Sequence, residues 1–311
     1  MEQTYKHVIV VGIDGAGSFI SEADTPNFDR IFTGENGGAV TYDALASFPS
    51  ISAECWGSML TGVSPAIHKL TNDIVSSRHY PDDTPYPTLF KRIREGIPNA
   101  VIGSFCDWSP ISNGICEVGL DVTMDSAGDT ELTPRICAYI EKEKPTFLFI
   151  QMDSVDGAGH GNGYGTPNHL KRIHEVDELL AQIYTSVENA GIADDTLFCL
   201  IADHGGTCVG SDGRYSGSHG GWSEGERYVT FAAAGKTVKP GTIGDMNVRD
   251  LSAIVLHALG IPSPEFKLEG WTSQIPKNLF TDIPSPMYED ISGEVGAPPR
   301  VSRRHHETEL L

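Results

Sequence analysis

Four short segments carry side chains able to act together. "VDGAGH" sets Asp156 and His160 four residues apart and reads as a tight, glycine-opened loop. "IADHGG" places Asp203 beside His204 directly after an apolar run. "SGSHGGWSEGE" carries His219 in a Gly/Ser loop, and "VGIDGAG" carries Asp14 after another apolar run. Carboxylate plus imidazole is a common transition-metal pair. An Asp at a strand end, among small residues, offers a hard oxygen ligand and room for an ion. Three Asp and three His suffice for two ions, and ions about 3.5–4 Å apart are a recurrent device for hydrolysing phosphoesters. Taken singly, each of these residues reads equally well as a turn or a cap.

A fifth segment, "FPSISAECWGSMLTGVSPAIH", supplies hydroxyls. A helix is expected from about Ser52, which puts that serine or its neighbours at a positive helix N-terminus. Serine there is commonly a cap alone. Its hydroxyl is a poor nucleophile until a base or a metal lowers its pKa. Two nearby ions would do so.

These segments need a scaffold that brings them to one place. Strands are expected over 7–13, 39–45, 99–105, 146–152, 196–202 and 227–234, several of them apolar throughout, as in sheets covered on both faces. Helical patterns lie between them, over 25–32, 52–60, 88–96, 131–143, 167–191 and 247–260. The alternation predicts a three-layer α/β/α sandwich with a central, mostly parallel sheet. Ligands gather beyond the C-terminal strand ends of such sheets, where Asp14, Asp156 and Asp203 fall. The domain is expected to span 1–271, followed by a Pro-rich covering arm or disordered tail over 272–311.

The tetrapeptide Asp-Gly-Ala-Gly occurs at 14–17 and 156–159, but the flanks do not match, so it marks no repeat. Nor is "GIDGAG" a dinucleotide loop. Its glycines fall at 12, 15 and 17, no helix starts at once, and Asp14 would face a pyrophosphate with like charge.

The chain has 311 residues, 39% hydrophobic and 21% charged, with a formal net charge of −20. Such acidity argues against binding to a nucleic-acid duplex, which needs a basic face. It leaves an anionic substrate open, because bound cations invert the local potential. "HVIVVGI" is too short for a signal segment and no apolar run reaches bilayer length, so the expectation is a cytoplasmic protein without a membrane partner. The six cysteines form no C-x-x-C pair and are expected to be reduced thiols.

Taken in order from about residue 7 to 271, these segments resemble the alkaline phosphatase superfamily. Within it they are most similar to the type I phosphodiesterase/nucleotide pyrophosphatase family. "VIVVGIDG", "TPNFDRIF", "FPSISAECWGSMLTGVSPAIH", "DSVDGAGHGNGYGT", "LIADHGG", "SHGGWSEGER" and "LHALGIPSPEFKLEGW" carry the likeness. The resemblance implies two divalent ions, zinc in most relatives, with manganese an alternative. It implies one ion held by Asp156, His160 and His219, and a second by Asp14, Asp203, His204 and the nucleophile. It implies that the nucleophile is Ser52, which would form a phosphoserine intermediate on a small phosphorylated substrate. Sulfatases carry C-x-P-x-R at this place, whereas this chain reads Ser52-Ala53-Glu54-Cys55-Trp56. Nucleotide pyrophosphatases usually carry Asn three residues after the nucleophile. Cys55 stands there, a weak donor, so phosphomonoesters and phosphonates are alternatives to phosphodiesters and pyrophosphates. A metal- or nucleotide-binding module without turnover is the non-enzymatic alternative. Substrate contacts are expected from Cys55, Trp56, Asn72 and Tyr164, with Trp56, Tyr80 and Tyr164 as an aromatic slot. Asp153 is expected to back Asp156 or His160.

Overall fold

The computed structural model describes residues 3–34, 37–264 and 268–283. Its strands are β1 (His7–Ile13), β2 (Ala39–Leu45), β3 (Ile102–Cys106), β4 (Val122–Asp125), β5 (Phe147–Met152), β6 (Thr196–Ala202), β7 (Thr207–Ser211), β8 (Arg214–Ser218), β9 (Tyr228–Ala234) and β10 (Gly241–Thr242). The helices are α1 (Pro26–Phe32), α2 (Ser52–Thr61), α3 (Pro65–His68), α4 (Asn72–Ser77), α5 (Leu89–Gly96), α6 (Asp129–Glu143), α7 (Ser154–Asn162), α8 (Pro167–Asn189), α9 (Glu224–Arg227) and α10 (Leu251–Ala258).

Eight strands form one sheet in the order β10-β2-β9-β6-β1-β5-β3-β4. All neighbours pair parallel except β9, which runs antiparallel to β2 and β6. Beyond its first residue β1 is buried, and β5 and β6 are buried throughout; this follows from their largely apolar sequence and from cover on both faces. Apart from the short α9, the helices fall into two packed groups. One contains α1, α6, α7 and α8; the other contains α2, α3, α4, α5 and α10. The expected three-layer sandwich is the observed fold.

Register is what matters for the site. Ile13 of β1 is level with Met152 of β5 and with Ala202 of β6. The next residues, Asp14, Asp153 and Asp203, therefore leave three adjacent parallel strands side by side.

Two expectations are corrected. "DGAGH" is not a loop: it lies inside α7, and Asp156 and His160 share a face of that helix at i and i+4. Gly157, Gly159 and Gly161 disguise the helix, since glycine is a poor helix former. Gly159 is required by packing, because a Cβ there would stand 2.4 Å from the Tyr164 ring. Asp129 anchors the helix start by accepting the amides of Asp153 and Ser154. The stretch before His219 is also not plain loop. It forms the hairpin β7–β8, whose residues are mostly exposed and polar, so no period-2 apolar signal marked it. Edge strands β4 and β10 were missed for their shortness. Of the expected arm, residues 272–283 lie against the domain, with Leu279 buried and Lys239 donating its amide to the Leu279 carbonyl. Residues 284–311 lie outside the described residues.

Candidate metal centre and nucleophile

Two groups of ligand atoms converge at the C-terminal edge of the sheet: Asp14, Asp203 and His204, and Asp156, His160 and His219. The first is fully buried. The second is more open, and the His160 side chain is 48% exposed. The two meet face to face, since the His204 and His219 rings stack with centroids 3.8 Å apart.

Each histidine is oriented by a backbone carbonyl on its Nδ1. His204 faces Gly205 O at 2.9 Å, His219 faces Ser50 O at 2.8 Å, and His160 faces Gly217 O at 3.2 Å. A carbonyl only accepts, so Nδ1 carries the proton and Nε2 offers its lone pair. All three Nε2 atoms point into the site. The Nε2 atoms of His160 and His219 are 3.2 Å apart. Two lone pairs at that distance repel unless a proton or a metal cation lies between them.

The carboxylates show the same design. Asp14 Oδ2 accepts the Trp56 indole N–H at 3.0 Å and the Gln151 amide at 3.1 Å. Asp203 Oδ1 accepts the amides of Gly15 and His204. Their other oxygens, Asp14 Oδ1 and Asp203 Oδ2, are buried without a hydrogen-bond partner. Those two oxygens lie 3.4 and 3.3 Å from His204 Nε2. Burial, then the neighbouring Asp203 and Asp156 charges, push the Asp14 carboxyl well above the usual range; burial does the same to Asp203. Buried, orphaned carboxylate oxygens beside an imidazole lone pair are costly unless a cation joins them. The donor set therefore fits two divalent ions with nitrogen and oxygen ligands.

Asp156 differs. Burial raises its pKa, but the His160 bond, the His204 charge and the Tyr164 hydroxyl outweigh that and hold it below the ordinary value. Tyr164 donates to Asp156 Oδ1 at 2.6 Å, leaving Oδ2 toward His160 Nε2 at 3.1 Å. Burial, followed by the Asp156 charge, drives the Tyr164 pKa upward, so the phenol stays a donor. Gly15 makes this closeness possible: at φ +68°, any Cβ would fall 2.5 Å from Asp156 Oδ1.

Ser52 opens α2 and is buried, with its Oγ 3.3 Å from His204 Nε2. It thus borders the inner ligand group. Its position is set from both sides of the turn. The Ala53 amide donates to Asn72 Oδ1, and the preceding Ser50 is tied to the His219 loop.

The four expected substrate contacts fare differently. Trp56 is fully buried and spends its N–H on Asp14, lying over Gly12, where a Cβ would meet the ring at 2.5 Å. Tyr164 is buried behind Asp156. Cys55 is buried with Sγ toward the Ser47 carbonyl. Tyr80, from the same aromatic slot, is buried on the Tyr86 carbonyl. Cys55 and Trp56 face protein because α2 is buried along its whole length, and the two tyrosines outside it spend their hydroxyls on Asp156 and on the Tyr86 carbonyl. Asn72 alone is exposed, at the start of α4 beside the first turn of α2. Asp153 stands behind Asp14 through Gln151, not behind Asp156 or His160 by a direct bond. Gln151 and His169, which faces the Gly15 carbonyl, were missed. A lone amide in the apolar run "TFLFIQM" was the available signal for Gln151.

A sequence model of type I phosphodiesterase/nucleotide pyrophosphatase matches residues 8–250. The chain belongs to that family. The family's name denotes enzymes that act on phosphoesters. GPI ethanolamine phosphate transferase 2 of Aspergillus oryzae is 23% identical over 197 residues, which is 61% of this chain and 22% of the relative. The chain spans about a quarter of the length of the curated relatives it matches. Among solved structures, murine ectonucleotide pyrophosphatase/phosphodiesterase 5 aligns at TM-score 0.68 and 14% identity, covering 82% of this chain and 95% of that one. A 2-O GAG sulfatase aligns at TM-score 0.66 and 14% identity, over 85% and 72%. At that identity the structural likeness carries the fold alone.

Proposed function

We propose that the protein cleaves phosphodiester or pyrophosphate bonds with two divalent cations, most simply zinc, and with Ser52 as nucleophile. One observation carries the reading: Ser52 Oγ, His204 Nε2 and the orphaned oxygens of Asp14 and Asp203 meet within hydrogen-bonding reach, with the second ligand group stacked against them. Asp14, Asp203 and His204 would hold one ion beside Ser52; Asp156, His160 and His219 would hold the other. Bound there, the ions supply positive charge for the phosphoryl oxygens and acidify hydroxyl or water. The protein's own part is positional. The carbonyls of Gly205, Ser50 and Gly217 aim the imidazoles, Trp56 and Gln151 hold Asp14, and Tyr164 holds Asp156. The α2 N-terminus presents Ser52 with amide dipoles that favour a transferring phosphoryl group. Attack by Oγ forms the Ser–O–P bond and breaks the bond to the leaving oxygen. Water then releases the phosphoryl group and restores Ser52. Asn72, exposed beside this turn, is the remaining candidate for a substrate oxygen.

A transferase reading is the alternative, favoured by the curated relatives, whose names denote phosphate transfer. Zinc- or manganese-loaded protein should be assayed on p-nitrophenyl mono- and diesters and phosphonoacetate, with and without an added alcohol acceptor. The diester should react fastest. Faster turnover and capture of the phosphoryl group by the alcohol would indicate transfer; preference for monoester or phosphonoacetate would overturn the diester assignment. Ser52→Ala should abolish turnover while both ions still bind, and near-native turnover in that variant would remove Ser52 from the mechanism.

A further inference from the structure

The segment that carries the nucleophile and the loop that carries His219 are joined at one residue. Ser50, two positions before Ser52, is buried, and all its polar side-chain and carbonyl contacts run to the His219 loop. Its carbonyl faces His219 Nδ1 at 2.8 Å. Its hydroxyl accepts the Gly220 amide at 3.0 Å and donates to the Gly221 carbonyl at 3.0 Å. The far side of that loop is also pinned: Glu226 takes the amides of Gly221 and Ser223 and gives its own carbonyl to the Gly205 amide. Phe48 and Trp222 stack over the same seam, centroids 4.0 Å apart and 11° from parallel.

We infer that Ser50 is a positioning residue which makes His219 and Ser52 move as one body, an inference that rests on the two-cation reading above. Two of its three contacts are hydroxyl contacts, so removing Oγ loosens the loop while leaving the carbonyl to aim the imidazole. A cation taken by His219 then stiffens the nucleophile segment, and by reciprocity a well-placed segment strengthens that cation's binding. Residues behind a metal ligand typically change affinity by about 10–100-fold. The larger effect falls on the ion at His219, because Ser50's contacts run to the His219 loop, and the ion beside Ser52 feels it less.

The test compares wild type with Ser50→Ala. Zinc affinity is read by competition with a chromophoric chelator, and kcat and KM are read on bis-p-nitrophenyl phosphate at saturating zinc. Ser50→Ala should weaken one ion about tenfold, weaken the other less, and lower kcat with KM within about twofold. In a His219→Ala background it should add no further loss of zinc affinity, because the residue acts on that ion through His219. Two unchanged affinities, or a loss that adds fully to that of His219→Ala, would overturn the inference. Should Ser50→Ala not fold, hydrogen exchange of the Gly220 amide in wild type decides. Zinc should slow it at least about tenfold if the coupling is reciprocal, and equal rates with and without zinc would overturn it. Wild type that takes up fewer than two ions fails the two-cation reading itself. Wild type with two ions beside an unaffected Ser50→Ala fails the positioning role alone.

Discussion

Replacing Tyr164 by Phe separates holding a ligand from touching a substrate. The ring keeps its place beside Gly159, Gly206 and Gly217, so no cavity opens. Only the hydroxyl is lost, with its 2.6 Å bond to buried Asp156 Oδ1. A hydrogen bond to a charged group is worth about 1.5–3 kcal/mol. Taken through cation affinity, where each 1.4 kcal/mol is about tenfold, this corresponds to a loss of roughly 10–100-fold. The direction follows from the structure: without the phenol, Asp156 turns between two oxygens instead of presenting Oδ2. Chelator competition should show one zinc ion weakened by that factor, and activity should return at high zinc with KM unchanged. A substrate-contacting tyrosine behaves oppositely, with zinc affinity intact and KM raised. That second pattern would refute the positional reasoning.

Acid sensitivity offers a second test. His68 accepts the Leu70 amide on Nδ1 and faces the Glu54 carbonyl and Ser58 hydroxyl with Nε2, so it is held neutral. Burial lowers its pKa from 6.5 to about 4. The unfolded chain therefore binds the proton first, and stability present above pH 6.5 is lost as pH falls toward 4, with a slope of about 1.4 kcal/mol per pH unit from this group. Urea midpoints at pH 7 and 5 should differ more for wild type than for His68→Gln, and equal differences would remove His68 as the cause. Gly159→Ala improves helix propensity by about 1 kcal/mol yet drives a methyl into the Tyr164 ring, where overpacking costs about 1–3 kcal/mol. Thermal melts should show net destabilisation together with weakened zinc binding; a stabilised variant with native zinc affinity would contradict the packing account.

The central strands, the longer helices and the three-layer sandwich were legible in the sequence, as were the Asp and His candidates at strand ends, while their division into two ligand groups came from the family resemblance. The legible features depend on local chemistry. Largely apolar runs such as "TFLFIQM" and "TLFCLIA" specify buried parallel strands, and a polar residue at their ends must leave the sheet at its edge. Which side chains face the ions and which face the protein was not legible, because that depends on contacts between residues far apart in the chain. Trp56 stands 42 positions from Asp14, and Gln151 137 positions from it. Nothing near Trp56 in sequence distinguishes an aromatic that stacks on substrate from one that hydrogen-bonds a ligand. The glycine-rich α7 was hidden for the same reason. Its glycines lower local helix propensity, and the Tyr164 packing that requires one of them, Gly159, exists only once the chain has folded back on the helix.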